Sequence, residues 1–128
     1  MKSGLVIYVA NLEIMSAFYR EAFALTYRDG DHEYVALARN QFELVLLRTD
    51  IAISYGNAGS DKAHHRADTA IKPVFFVDEP IADIRTKAAK LGGSLKPEEN
   101  EWDFDGARVC DGWDPEGNIF QVRSRRSA

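Results

Sequence analysis

With 128 residues, of which 45% are hydrophobic, 28% charged and 11% aromatic, the chain has the make-up of a folded domain and not of a disordered or fibrous protein. A net charge of −4 and a pI of about 5.3 argue against nucleic acid as the main partner, which would require a clustered basic face. No run approaches the ~18 apolar residues of a membrane span, and one cysteine, Cys110, excludes an intrachain disulfide and a multi-cysteine metal site.

The opening MKSGLVIYVANLE carries only a short apolar patch before Asn and Glu, so it does not read as a signal peptide, and the cytoplasm is the expected location. Residues 5–9 are apolar and β-branched, the pattern of a strand. Asn11 is placed to cap a helix, and Ile14, Met15, Phe18, Tyr19, Ala22 and Phe23 recur at helical spacing as one apolar stripe. After RDGDH, EYVALA and FELVLLR read as strands joined by a turn at Arg39-Asn40. Residues 54–70 are polar and aperiodic and read as a connecting loop, with His64 and His65 on its surface and no acidic or histidine support for a metal.

The grammar then restarts. Residues 73–77 form an apolar run, and Ile81, Ile84, Ala88 and Leu91 repeat at helical spacing until Gly92-Gly93 stop the helix. Residues 94–96, 107–110 and 119–123 supply three further strands. The expectation is an α+β chain, one domain over 1–128, built from two βαβββ modules (about 1–53 and 71–124) that pair with each other. DPEGN is turn chemistry, and the strand after it holds Gln121, a polar side chain in a buried-looking run that needs a partner.

LVIYVANLEIMSAFYREAF, VFFVDEPIADIRTKAAKLGG and DPEGNIFQV together resemble the glyoxalase and bleomycin-resistance branch of the vicinal oxygen chelate superfamily, over nearly the whole chain. The resemblance implies an open, curved, eight-stranded mixed sheet folded around a ligand cavity. In the metalloenzymes of that superfamily, four strand residues (two usually histidine, two usually glutamate) hold a divalent metal. Those positions fall here on Gly4, Glu43, Lys72 and Gln121, and only Glu43 matches. Glycine has no side chain, an ammonium has no lone pair to give, and an amide is a poor metal ligand, so neither a metal nor any other cofactor is expected. Lys72 has two readings: its ammonium replaces the metal's charge and pairs with Glu43 while Gln121 completes the hydrogen bonds, or it simply reaches solvent.

Strand alternation puts Val6, Tyr8, Val45, Leu47, Val74, Phe76, Ile119 and Arg123 on the cavity face with those four positions. The longer second half carries Trp102 and Phe104 in KPEENEWDFDGAR, and Trp113 follows; read as loop residues, the tryptophans either stack on a flat or cationic ligand or cap the core. No catalytic residue stands out. Glu43 is the one candidate base, if an apolar cavity raises its pKa, and Cys110 reads as a small buried hydrophobe. The candidate ligand-binding set is Tyr8, Glu43, Lys72, Phe76, Trp102, Trp113, Gln121 and Arg123. These residues support a metal-independent protein that binds a small molecule, of the glyoxalase/bleomycin-resistance type, sequestering an aromatic or cationic compound. The alternatives are a lyase-, isomerase- or dioxygenase-like enzyme with an altered active site, and an interaction module whose cavity is vestigial. A homodimer is expected, with no nucleic-acid or membrane partner.

Overall fold

In the computed structural model, which describes residues 1–49 and 69–125, the first apolar run forms strand β1 (Ser3–Val9) and leads into helix α1 (Leu12–Phe23). Asn11 caps that helix: its backbone is extended and its Oδ1 accepts the amide of Ile14 at 3.0 Å. The apolar stripe is buried through Met15, Phe18, Tyr19, Ala22 and Phe23, whereas Ile14, expected with them, lies outside it and is half exposed. Ala24, in the left-handed region at φ 58°, ends the helix. Strands β2 (Thr26–Gly30), β3 (Tyr34–Arg39) and β4 (Phe42–Arg48) complete a sheet of order β1-β4-β3-β2, with β1 parallel to β4 and the other pairs antiparallel. Val35, Leu37, Leu44 and Leu46 are buried on the α1 side; alternation turns Glu43, Val45 and Leu47 to the other face, where the register adds Gly4, Val6 and Tyr8.

The chain divides into two compact units, Met1–His64 and His65–Ala128, and the second repeats the plan. Its elements are β5 (Val74–Val77), α2 (Ile81–Lys90), β6 (Ser94–Leu95), a 3-10 turn (Glu98–Asn100), β7 (Trp102–Phe104), β8 (Ala107–Trp113) and β9 (Ile119–Ser124). Strand order is β5-β9-β8-β6, with β7 also paired to β8. Helix α2 buries Ile81, Ile84 and Ala88. It ends as the double glycine predicts: the amides of Gly93 and Gly92 return to the carbonyls of Ala88 and Ala89 at 2.9 and 3.4 Å, with Gly92 at φ 93°. The connecting segment with His64 and His65, apart from residues 69 and 70, lies outside the described residues, as do residues 126–128. No helix among the described residues is long and apolar enough to cross a membrane.

One expectation changes. The described residues form nine strands and not eight, because Trp102 and Phe104 lie on a strand and not on a loop. Asp105 and Gly106, at φ 53° and 76°, make the reversal that folds β7 back on β8, and Asp-Gly is a strong hairpin signal. In the first unit β2 is a full strand, bulged between Tyr27 and Asp29.

The DPEGN segment is organised by Asp114, which is 3% exposed. Its Oδ1 accepts the amides of Glu116 and Asn118 at 3.0 and 2.9 Å, and its Oδ2 accepts Asn118 Nδ2 at 2.8 Å. Two residues before it, Gly112 lets β6 approach: a Cβ there would stand 2.5 Å from the Ser94 carbonyl oxygen and 3.0 Å from the Phe120 ring. Gly112→Ala is therefore expected to destabilise the protein by roughly 1–3 kcal/mol, as overpacking against backbone does. Loss of the α1 cap in Asn11→Ala should cost about 1 kcal/mol. Urea denaturation of both variants measures these shifts.

Candidate functional site

Register decides what Gln121 faces. β8 and β9 run antiparallel from the Asp114 turn, so Trp113 lies opposite Ile119, Asp111 opposite Gln121 and Val109 opposite Arg123, while β5 sets Val74 beside Gln121 and Phe76 beside Arg123. Asp111 and Gln121 are both buried. Gln121 Nε2 donates to Asp111 Oδ1 at 3.2 Å, and Lys72 Nζ donates to Asp111 Oδ2 at 2.9 Å. At the other end of the amide, Arg123 Nε donates to Gln121 Oε1 at 2.8 Å. The result is a chain of four polar groups: ammonium, carboxylate, amide, guanidinium. The amide orientation is forced, since its NH2 must meet the carboxylate and its oxygen the cation.

The chain ends between two rings. The Arg123 guanidinium carbon lies 5.6 Å from the centre of Phe76 and 5.0 Å from the centre of Phe104, within cation–π range of both. Phe76 is 62% exposed and Phe104 52%, so this stack is presented to solvent. Trp102, on the same face, is also exposed.

The α2 side of the same sheet holds a separate network. Glu101 accepts from Arg85 Nη2 and, at 3.0 Å, from Arg108 Nε, while Arg108 Nη1 donates to Asp103 at 3.1 Å. These acidic partners hold the Arg108 guanidinium above its ordinary pKa. Arg85 also reaches Cys110 Sγ at 3.7 Å, and the thiol points to the Lys96 carbonyl oxygen at 3.3 Å. Burial pushes the Cys110 thiol up, against the opposing pull of Arg85.

On the open face of the first unit's sheet, Gly4 is the Cα partner of Glu43, and Tyr8 of Leu47. The Glu43 carboxylate lies 3.7 Å from Lys2 Nζ, and that pair is well exposed, which makes it weak. Val6 and Tyr8 are more than half exposed.

Lys72, Phe76, Gln121 and Arg123 are thus brought together in the second unit. Lys72 does not simply reach solvent: its ammonium binds Asp111, although 38% of its side chain stays exposed. Trp113 is not a loop residue either; it ends β8, with Lys96 Nζ 5.6 Å from its ring centre. Two participants escaped the sequence reading. Asp111 was recoverable by counting the hairpin outward from DPEGN, and Phe104 from the Asp-Gly reversal that places it beside Arg123.

The metal-holding positions implied by the resemblance do not fit a metal. At position 4 a Cβ would stand 2.9 Å from the Glu43 carbonyl oxygen, so even the root of a ligand side chain is crowded there. Lys72 brings a cation to the place of a donor. Among the described residues no three His, Cys, Asp or Glu side chains are grouped to hold a metal ion.

No family model and no curated protein sequence matches the chain. Solved structures do. A glyoxalase/bleomycin resistance protein/dioxygenase family enzyme from Burkholderia phytofirmans PsJN matches 96% of this chain and 97% of its own at 16% identity, with a TM-score of 0.70. A glyoxalase/bleomycin resistance protein from Albidiferax ferrireducens T118 matches over 98% of each chain at 14% identity, TM-score 0.67. The fosfomycin resistance protein FosX from Listeria monocytogenes matches 97% of this chain and 92% of its own at 14% identity, TM-score 0.68. At these identities the likeness is one of fold: the chain has the fold of the glyoxalase and bleomycin-resistance proteins.

Burial and the raised pKa of Cys110 lead to a direct expectation. A thiol held up in the folded state stays neutral where a free cysteine, near pH 8.5, is already half ionised. An aromatic disulfide reagent at about that pH should label the native protein far more slowly than the urea-unfolded chain. Equal rates would show that the thiol is accessible.

Proposed function

We propose that the open face of the second unit holds the flat ring of a small organic molecule without the help of a metal, and that the chain works as a binding or sequestering protein. The observation that carries this is the solvent-facing Phe76–Arg123–Phe104 stack, with its guanidinium aimed by the Lys72–Asp111–Gln121 chain. Such a surface offers two aromatic faces and a cation for stacking, and Arg123 has donors left beyond the one given to Gln121. Fold neighbours named for bleomycin and fosfomycin resistance are consistent with a role in holding small molecules.

Charge refines the ligand class. Asp111 neutralises Lys72, while Arg108 is turned to the other side of the sheet and engaged by Glu101 and Asp103. Arg123 remains as the cation of the stack. A ring carrying an acceptor (a carboxylate, carbonyl or phosphoryl oxygen) suits that position better than the cationic guest weighed from sequence. Binding is favoured over turnover because both Asp111 oxygens already accept hydrogen bonds and Glu43 sits in an exposed pair with Lys2. The apolar residues exposed on the open faces, Val6, Tyr8 and Phe76, are also why we infer a homodimer.

Calorimetric titration of planar aromatic carboxylates against matched planar aromatic cations tests the reading. The carboxylates should bind, and Phe76→Ala should weaken them about tenfold, the size of one lost ring contact. Gln121→Leu, which releases Arg123, should weaken them further. A chelator should leave the affinity unchanged, and elemental analysis should find no stoichiometric metal. Preference for the cations, or an affinity that a chelator abolishes, rejects the proposal. Light scattering at micromolar concentration should give twice the 14.4 kDa chain mass; a monomer mass rejects the dimer.

A further inference from the structure

The buried stripe of α1 has one polar member. Ser16 is 7% exposed among Met15, Phe18, Tyr19, Ala22 and Phe23, and its hydroxyl has no hydrogen-bond partner among the described residues. The hydroxyl is nonetheless not sealed from water, so it is open to a ligand. It lines a cleft of about 760 Å³ within the first unit, between the start of α1 and the β2–β3 hairpin, a size typical of small-molecule sites.

Other polar groups line this cleft together with that hydroxyl. Arg20 stands four residues further along α1, hence on the same helix face, and its guanidinium makes no ion pair or hydrogen bond among the described residues. On the opposite wall Arg48 is fixed: Nε donates to the His32 carbonyl oxygen at 3.1 Å and Nη2 to Glu33 Oε1 at 3.3 Å. The half-exposed ring of Tyr27 and the buried Val35 give the cleft an apolar wall.

Two carboxylates also line it. Asp31 is partly spent, its Oδ1 accepting the amides of Glu33 and Tyr34 at 2.7 and 3.2 Å. Glu13 lies at the mouth, exposed. Glu33 offsets Arg48, which leaves Arg20 as the lining's unpaired cation among the described residues, a setting for a single negative charge and not for a dianion.

From this we infer that the cleft beside Ser16 is a second binding site, independent of the aromatic stack, and that it takes a small organic monocarboxylate. The planar fork of Arg20 matches a carboxylate, Ser16 donates its hydroxyl hydrogen to the same group, and an aliphatic or aromatic body lies along Tyr27 and Val35. A phosphate dianion would meet Glu13 and Asp31.

The test is a titration of isotope-labelled whole protein by amide NMR with hexanoate, inorganic phosphate and hexylammonium as probes. Hexanoate should shift the Ser16, Arg20 and Tyr27 amides saturably. Arg20→Gln and Ser16→Ala should each weaken it about tenfold, the scale of one lost hydrogen bond to a charged group, whereas Phe76→Ala should not. Ser16→Ala has a second readout: without ligand its melting temperature should equal or exceed that of the wild type, because the hydroxyl has no partner to lose, and hexanoate should no longer raise it. The inference is overturned if phosphate or hexylammonium binds there in preference, if hexanoate produces no saturable shift, or if Ser16→Ala alone lowers the melting temperature.

Discussion

The turn gathered around the buried Asp114 carboxylate sets the register of the β8–β9 hairpin, and the second unit's face depends on that register. Because side chains alternate, a slip of one residue would send Gln121 and Arg123 to the α2 side and bring Phe120 and Val122 out. Held as it is, the hairpin delivers Asp111 to Gln121 and Val109 to Arg123. β5 then adds Phe76 beside the guanidinium. An aspartate that touches none of these groups thereby decides which of them meet.

In the metalloenzymes that the sequence resembles, a metal cation is expected to hold ligand atoms, and the positions that the resemblance assigns carry different electrostatics here. The charge at position 72 is an ammonium, and its counter-charge comes from Asp111 within the same sheet. A buried carboxylate without such partners would be expensive, whereas one that accepts from both a cation and an amide is tolerated. At Gly4, in the first unit, β4 backbone crowds the place where a side chain would begin.

Much of the fold was legible because it is local. The helical stripe of α1, the double-glycine stop of α2 and the DPEGN turn each carry their instruction within a few residues. Alternation correctly put Phe76, Gln121 and Arg123 on one face. The partner of Lys72 was harder to read, since it lies 39 residues away in sequence and only strand pairing reveals it. Strand β7 was passed over because WDF, between acidic residues, shows too little periodicity, although the Asp-Gly reversal after it was there to be used. Ser16 was unreadable for a different reason: a serine in an apolar stripe looks like a tolerated small residue until its missing partner is seen.

The sandwiching of Arg123 has a consequence for the kinetics and entropy of recognition. A free arginine side chain samples many rotamers and loses that freedom when it grips a ligand, at a cost of roughly 0.5–1.5 kcal/mol per immobilised side chain. Here the Gln121 oxygen and the Phe76 and Phe104 rings restrict the guanidinium during folding. That ordering is made within the chain itself, so a ring bound as proposed would meet a side chain already held in place. Differences in affinity among guests should then lie in how long each one stays and not in how fast it lands.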